Sequence, residues 1–418
     1  MSIVIIALAL LLLGVPIGIT MLSVGYFGFL DAGINMQVIA QRMFAGLDSF
    51  TLMAIPLFVF AGDILLYGGA SKRLIRFANA CFGWITGGIP VTAVVSSMVF
   101  SALTGSASAT VAGIGGIMIP NMVEAKYPPK FSTGLLAAAG CMGIIIPPSI
   151  TFMAYGVSLG YSIGDLFLAG LLPGLFIGFI LIAYVVIYSH IKQFEKEPRP
   201  SLKELWIAFK ESIWALLTPV IILGGIYAGI MTPTEAAAIA IVYSLFICVV
   251  VYKELDLKGV LKVAGKSCIM IGMIMFVVAT ADVLSWFLTF RQIPAQVAEI
   301  ILSISDNRIV ILLLINVLLL IAGMLMNATT VVLILAPLLY PVIMSLGVDP
   351  IHFGVIMIVN LAIGFVTPPF GLNLFVASGI SGLGITDVVK GTAPFILLMF
   401  ISLLIITFVP ALSLVFLS

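Results

Sequence analysis

The stretch Gly105-Ser106-Ala107-Ser108-Ala109-Thr110 is a run of small and polar residues inside an otherwise apolar segment, residues 88–122. A second such run, Met326-Asn327-Ala328-Thr329-Thr330, interrupts the apolar segment 309–346. Both segments are longer than the roughly 20 residues that one helical crossing of a bilayer requires. Irregular backbone is tolerated at membrane depth only where protein or water covers it. We therefore expect each segment to form a re-entrant helical hairpin with its polar tip buried in protein.

The composition of the whole chain is that of a membrane protein. Hydrophobic residues occupy 62% of its 418 positions and charged residues only 8%, whereas a soluble domain carries about 25% charged residues. We predict an all-α polytopic membrane protein. Apart from the two hairpins, the expected helices cover residues 3–29, 50–67, 131–158, 165–189, 212–231, 234–252, 267–290, 351–380 and 391–417. The first of these lacks a basic start, so we interpret it as a membrane span rather than a signal peptide.

The basic residues lie almost entirely on one side of this predicted topology. Of the 18 Lys and Arg residues, only Arg42, Arg291 and Arg308 fall on the other side. The positive-inside rule assigns the basic side to the cytoplasm. We therefore expect a cytoplasmic N-terminus and a periplasmic C-terminus. The net charge of +1 gives no indication of a nucleic-acid partner.

The two halves of the chain resemble each other at a spacing of about 220 residues. Asp63 aligns with Asp282 and Ser106 with Asn327. We predict a first repeat over residues 1–190, a cytoplasmic loop and linker span over 191–232, and a second repeat over 233–418. The linker span places the second repeat upside down. Inverted repeats with interrupted helices at the membrane midplane are typical of carriers that expose one site to each side in turn.

Each repeat also contains a Pro-Pro pair in an apolar helix, within segments 131–158 and 351–380. Proline removes a backbone donor and disfavours helix in the residue before it, so nearby carbonyl groups are left free. Neutral oxygens of this kind suit Na⁺ better than a divalent ion, which prefers carboxylates. Helix packing is the alternative explanation for the small-residue tips. The candidate Na⁺ ligands are Ser106, Ser108, Thr110, Pro147 and Ser149 in the first half, and Asn327, Thr329, Thr330, Thr367, Pro368 and Gly371 in the second.

Several other polar residues need an interpretation. Asp63 and Asp282 lie in or near apolar segments and are candidate functional charges, although a shared structural role explains them equally well. We interpret Glu235 as a first-turn charge at a helix N-terminus, and expect His190 and His352 to be solvated or interfacial. Gly265-Lys266-Ser267 lacks the first glycine of a P-loop, so we expect no ATP binding. The four cysteines, Cys81, Cys141, Cys248 and Cys268, are interpreted as packing residues.

The motifs together resemble one family over essentially the whole chain. Thr104-Gly105-Ser106-Ala107-Ser108-Ala109-Thr110, Ile146-Pro147-Pro148-Ser149 and Thr367-Pro368-Pro369-Phe370-Gly371-Leu372-Asn373 are similar to the large membrane subunit of tripartite ATP-independent periplasmic (TRAP) transporters. The resemblance implies Na⁺-driven import of an organic acid into bacteria across the inner membrane. It also implies an elevator mechanism, in which a transport domain holding both hairpins slides against a scaffold, without ATP.

The resemblance further implies partners and a substrate position. The partners are a periplasmic substrate-binding protein and a small four-helix membrane subunit, which we expect to be a separate chain because this one starts at Met1-Ser2-Ile3. Substrate would lie between the two tips, near Ser106, Ser149, Thr151, Asn327 and Asn373. A C4-dicarboxylate, sialic acid and other sugar acids all remain open. The alternatives are a stand-alone ion-coupled permease of the same superfamily and a membrane scaffold without transport activity.

Overall fold

A computed structural model describes Leu10 and residues 13–417 of the chain. Within this part the regular structure is entirely helical, which confirms the all-α part of the predicted fold class. The first half contains helices Ile17–Asp31, Gln37–Leu47, Ala54–Tyr67, Ala70–Phe82, Gly88–Thr104, Ala107–Thr110, Gly116–Glu124, Pro129–Gly140, Met142–Ile145, Ile150–Leu159 and Ile163–Lys192. The remainder contains Leu202–Tyr227, Pro233–Leu245, Leu257–Phe290, Ile293–Ile304, Arg308–Leu325, Ala328–Ser345, Pro350–Gly364, Leu372–Ser381, Ile385–Phe408 and Ala411–Leu414. A short 3₁₀ turn, Thr51–Met53, and two π-helical stretches, Val111–Gly115 and Phe246–Val251, extend these helices.

The chain is a multi-pass membrane protein by the length and apolar character of its helices. In the described part, eight helices are long and apolar enough to cross a bilayer. A ninth is obtained if Gln37–Leu47 and Thr51–Tyr67, which meet at a bend of 67°, count as one span. The predicted first span, 3–29, lies partly outside the described residues, and its visible helix begins after Pro16.

Three helices were not anticipated from the sequence, namely Gln37–Leu47, Ala70–Phe82 and Ile293–Ile304. Ala70–Phe82 has Leu74 and Ile75 buried on one face, while Lys72 and Arg76 lie on the other. The hydropathy of an apolar face and that of a charged face cancel when it is averaged over all residues of a segment. Amphipathic helices of this length are therefore missed by a search for continuous apolar runs.

Local capping explains where several membrane helices begin. Thr232 and Glu235 form a capping box at the start of Pro233–Leu245, with the Glu235 carboxylate accepting from the Thr232 N–H at 2.8 Å. This confirms the interpretation of Glu235 as a first-turn charge. Ser201 and Glu204 form the same motif at the start of Leu202–Tyr227. Gly265-Lys266-Ser267 lies inside the continuous helix Leu257–Phe290, so no phosphate-binding loop is present there.

Two interrupted helices occupy the centre of the molecule. We call residues 129–159 the first broken helix and residues 350–381 the second. The most apolar window of the first is completely buried by protein. The two are in direct contact, because the Cys141 thiol donates to the Ala362 carbonyl at 3.0 Å. Cys141 is fully buried, as predicted for a packing residue, whereas Cys268 is exposed and does not fit that prediction.

The long helix Leu257–Phe290 organises the periphery. It packs against Ile17–Asp31, Gln37–Leu47 and Ala54–Tyr67, and Pro233–Leu245 packs against Ala54–Tyr67 in turn. Glycines permit the closest of these contacts. A Cβ atom at Gly28 would lie 2.5 Å from the Phe287 ring, and one at Gly25 would lie 2.8 Å from Val283. These helices form a wall beside the central broken helices.

Candidate functional site

The first hairpin consists of Gly88–Thr104 and residues 107–124, whose two arms pack against each other. Its tip is Gly105-Ser106, where Gly105 adopts a φ of +60° that a residue with a side chain rarely tolerates. Ser106 caps the second arm, since its Oγ accepts from the Ala109 N–H at 3.5 Å. The Ser106 and Ser108 hydroxyl oxygens are 3.4 Å apart, and the Thr110 hydroxyl donates to the Ser106 carbonyl at 2.9 Å. Three predicted ligands therefore lie together at one tip.

The first Pro-Pro break follows Ile146, which leaves the helix for an extended conformation. The Pro147-Pro148 peptide bond is cis. Ser149 caps the next helix, Ile150–Leu159, and its hydroxyl donates to the Ile144 carbonyl at 2.7 Å. Ser149 and Thr151 are both buried. The break is thus a compact turn stabilised by its own serine.

The first tip and the first break are in contact. A Cβ at Gly105 would lie 2.7 Å from the Pro148 carbonyl oxygen, and a Cβ at Gly143 would lie 2.3 Å from the Ser106 carbonyl oxygen. Only glycine allows backbone to approach backbone this closely. Carbonyl and hydroxyl oxygens of both segments are therefore concentrated in one small region, which is the kind of ligand set that a monovalent cation accepts.

The second hairpin consists of Arg308–Leu325 and Ala328–Ser345, separated by Met326 and Asn327 in extended conformations. Asn327 caps the second arm, with its Oδ1 accepting from the Thr329 N–H at 3.0 Å. Thr329 and Thr330 are buried behind it, whereas Asn327 is exposed. The tip is thus built as in the first half, with asparagine in place of serine as the cap.

The second break differs from the first in its exposure. The Pro368-Pro369 bond is also cis, and Gly371 has a φ of +51°. The Thr367 hydroxyl donates to the Ile363 carbonyl at 2.7 Å. Pro368 and Pro369 are exposed and the Phe370 side chain is 59% exposed, whereas residues 141–150 of the first break are all buried. The two halves use the same elements in different surroundings.

The second hairpin reaches the second broken helix through glycines. A Cβ at Gly364 would lie 2.4 Å from the Gly323 carbonyl carbon, and a Cβ at Gly323 would lie 3.1 Å from the Cα of Leu361. The hairpin arm and the helix before the break are therefore packed backbone to backbone a few residues from Asn327 and Thr367.

Asn373 connects the two broken helices. Its side-chain amide donates to the Ala137 carbonyl at 3.1 Å, and its backbone N–H donates to the Phe365 carbonyl at 3.0 Å. The residue is completely buried, and its Oδ1 has no hydrogen-bond partner within the part of the chain described. A free amide oxygen at such a position is a potential ligand, because a buried polar atom without a partner is costly.

A second polar cluster in the same half was not singled out from the sequence. The Asn360 amide donates to Asn316 Oδ1, and the Asn316 amide contacts the Thr407 hydroxyl at 3.4 Å. His352 lies beside this cluster, with ring nitrogens 3.1 Å from Ser413 Oγ and 3.3 Å from the Thr407 carbonyl. His352 is only 2% exposed, so the expectation that it is solvated or interfacial was wrong. Isolated asparagines in apolar helices were the available signal.

The two candidate functional charges are half-buried on the peripheral wall. Asp63 accepts a hydrogen bond of 2.6 Å from the Ser267 hydroxyl. Asp282 lies against Gly46, where a Cβ would be 2.6 Å from the Asp282 Cβ. Asp63 shares a cavity with Ser106 and Ser108. Asp282 lines a separate cavity that the second tip's residues Asn327, Thr329 and Thr330 do not line.

An all-helical chain with several membrane spans and two interrupted helices at its centre is typical of helical membrane transport proteins. The solved fold of the Alcanivorax borkumensis YdaH transporter is similar, with a TM-score of 0.59 over 90% of this chain and 88% of that one. At 15% identity this likeness concerns the fold alone.

Sequence comparison assigns the chain to one family within this class. Residues 4–412 match the family described as tripartite ATP-independent periplasmic transporter, DctM component. The C4-dicarboxylate TRAP transporter large permease protein DctM of Pseudomonas aeruginosa is 43% identical over 91% of this chain and 89% of its own. The sialic acid TRAP transporter large permease protein SiaM of Vibrio cholerae is 38% identical over 97% and 96%. The chain therefore belongs to the large permease family of TRAP transporters, as its motifs predicted, and its relatives are transporter subunits rather than enzymes.

Proposed function

We propose that this chain carries an organic acid across the bacterial inner membrane by Na⁺-coupled secondary transport. The proposal rests on two observations. Each half supplies one capped polar hairpin tip and one Pro-Pro break. In the first half the tip and the break are in contact through Gly105 and Gly143. Such a site offers neutral oxygens to a monovalent cation. We propose one such site in each half, with the substrate bound between them.

The packing of the wall supports an inverted repeat. Ile17–Asp31 packs against Leu257–Phe290, and Pro233–Leu245 packs against Ala54–Tyr67. This is the exchange of partners that a two-fold axis produces between equivalent helices, and the topology expected from the charges puts that axis in the membrane plane. An inverted pair of halves is the architecture through which one site becomes accessible from each side. We therefore favour an elevator movement of the two hairpins and broken helices against the peripheral wall, with the N-terminus cytoplasmic and the C-terminus periplasmic.

The substrate class follows from the relatives. Their printed names specify C4-dicarboxylate, sialic acid and, for a protein of Escherichia coli, 2,3-diketo-L-gulonate. All are small organic acids. We propose that this chain also transports one, delivered by a periplasmic binding protein and with a small membrane subunit as partner. A relative named DctMQ, of which this chain covers 64%, is consistent with a second membrane component.

Uptake into proteoliposomes tests this proposal. A cognate small membrane subunit and a cognate periplasmic binding protein would be reconstituted with it, and labelled organic acids would be offered outside. We expect uptake that requires an inward Na⁺ gradient and both partners, and that is insensitive to ATP. Uptake that persists without Na⁺ would contradict the coupling. Uptake by this chain alone would instead support the rival proposal of a stand-alone permease.

A further inference from the structure

Two cavities line the boundary between the peripheral wall and the hairpins. The first has a volume of about 260 Å³ and the second about 120 Å³. They are lined by matching positions, since Gly62, Asp63 and Leu66 of the first correspond to Ala281, Asp282 and Ser285 of the second at the repeat spacing of about 220 residues. Ala112 and Val376 in the first likewise correspond to Leu333 and Val157 in the second. The cavities are therefore equivalent places in the two halves.

Each cavity has one carboxylate, and that carboxylate is not neutralised by an ion pair. Asp63 accepts from the neutral Ser267 hydroxyl, while the buried Oδ2 of Asp282 has no hydrogen-bond partner in the described part. The four ion pairs of the described residues involve neither aspartate.

The nearest basic groups are engaged with aromatic side chains. The Lys266 amine lies 4.5 Å above the Tyr67 ring and donates to the Tyr67 hydroxyl at 3.3 Å. The Arg42 guanidinium lies 5.2 Å above the ring of Trp286. Neither cation forms an ion pair with its aspartate, and neither lines the cavity, so the carboxylate is the charged group that each cavity presents.

A negative wall favours a cation and repels an organic anion. In a cavity with low-dielectric walls one charge changes the local concentration of small ions substantially. We propose that Asp63 and Asp282 attract the coupling cation. Each raises the local Na⁺ concentration in its own cavity, and we call these two cavities the vestibules. This inference rests on the proposed Na⁺ coupling. In the first vestibule the attracted ion is adjacent to Ser106 and Ser108, which line the same cavity.

In the proposed topology the two vestibules belong to opposite sides of the membrane. Asp63 is one turn before Tyr67 and bonds to Ser267, next to Lys266 of the basic, cytoplasmic side. Asp282 faces Gly46 and shares its cavity with Ser158 and Ser285, toward the side of Arg42 and Arg291. Asp282 therefore acts on external Na⁺ and Asp63 on internal Na⁺.

The test uses the complete reconstituted transporter, with the binding protein outside so that only molecules facing outward contribute to uptake. Asp282→Asn should raise the external Na⁺ concentration for half-maximal uptake by about threefold or more, with the KM for the loaded binding protein unchanged. Asp63→Asn should leave the external Na⁺ requirement unchanged and should weaken inhibition of uptake by internal Na⁺ by a similar factor. Asp282→Glu should restore the wild-type Na⁺ requirement.

Asp165→Asn is the matched control, because it removes a first-turn carboxylate that lines neither cavity. An unchanged Na⁺ requirement in Asp282→Asn, or an equal change in Asp165→Asn, overturns the inference while leaving the proposed function intact. If Asp282→Asn does not insert, the internal Na⁺ measurement on Asp63→Asn decides independently. Wild-type uptake that does not depend on Na⁺ refutes the proposed function itself.

Discussion

Individual glycines decide how closely the central helices approach. At Gly391 a Cβ would lie 1.9 Å from the Lys130 carbonyl oxygen, and at Gly134 a Cβ would lie 2.3 Å from the Gly391 carbonyl carbon. Helices Pro129–Gly140 and Ile385–Phe408 therefore cross with backbone against backbone. In lipid, where apolar burial does not drive association, such close packing is a main source of stability.

Gly391→Ala should destabilise the protein, because a methyl group at this position must push the two helices apart. Overpacking of this kind costs about 1–3 kcal/mol, so we expect a clear fall in the thermal unfolding temperature in detergent. Gly272→Ala is the control, since nothing lies within 4 Å of a Cβ there and the position is also inside a long helix. Equal melting temperatures for both variants would contradict the assignment of a close crossing at Gly391.

At the scale of single elements, the two hairpin tips are the segments that combine structural and functional roles. Ser106 and Asn327 cap their helices as ordinary N-cap residues do. The same side chains are candidate Na⁺ ligands. A variant that removes only a cap must therefore be compared with one that removes both a cap and a ligand.

Ser106→Ala should raise the Na⁺ requirement of uptake or abolish uptake, since it removes a hydroxyl oxygen from the first tip. Ser162→Ala is the matched control, because Ser162 caps Ile163–Lys192 through the Asp165 N–H at 3.2 Å and lies away from both tips. Both changes remove a serine cap, which is worth about 1 kcal/mol. Uptake as a function of Na⁺ concentration separates them, and an identical response of the two variants would reduce Ser106 to a structural role.

Asn327→Ala tests the second tip in the same way. Asn307 caps Arg308–Leu325 through the Ile309 N–H at 2.9 Å, so Asn307→Ala removes an equivalent asparagine cap at the other end of the first arm. We expect only Asn327→Ala to impair Na⁺-dependent uptake while the amount of protein in the membrane stays unchanged. Normal Na⁺ dependence in Asn327→Ala would indicate that the second tip serves packing alone.

For the whole molecule, the boundary between the peripheral wall and the hairpins is where an elevator movement would occur. Gly62 on the wall lies against Thr104 at the end of the first hairpin arm, with a Cβ at Gly62 placed 3.0 Å from the Thr104 Cα. Any side chain at Gly62 would therefore press against the Thr104 backbone, whose carbonyl oxygen would lie 3.2 Å from its Cβ. A bulky side chain there would obstruct movement at this boundary.

Gly62→Val should slow or abolish uptake, because its side chain would lie against the Thr104 backbone and hinder sliding at the boundary. Gly265→Val is the control, since nothing lies within 4 Å of a Cβ there and the position is also inside a helix of the wall. Uptake rates would be compared at equal amounts of protein in the membrane. Wild-type uptake by Gly62→Val would exclude a tight sliding contact between Gly62 and Thr104.

The sequence by itself determined the class of protein, the two tips, the two breaks and the family. These features are local, because apolar length, proline and runs of small polar residues act within a few positions of the chain. The motif resemblance then identified the family that the comparisons confirmed. The amphipathic helix Ala70–Phe82 was missed, since its apolar residues are confined to one face.

Only the tertiary structure decided how these local features are arranged in space. It placed Asp63 against Ser267 and joined Asn373 to Ala137, contacts between residues more than 200 positions apart. It buried His352 and enclosed the first break while leaving Phe370 of the second exposed. Two similar sequences acquire different surroundings because burial is fixed by whichever helices pack against them, and no local pattern specifies those partners.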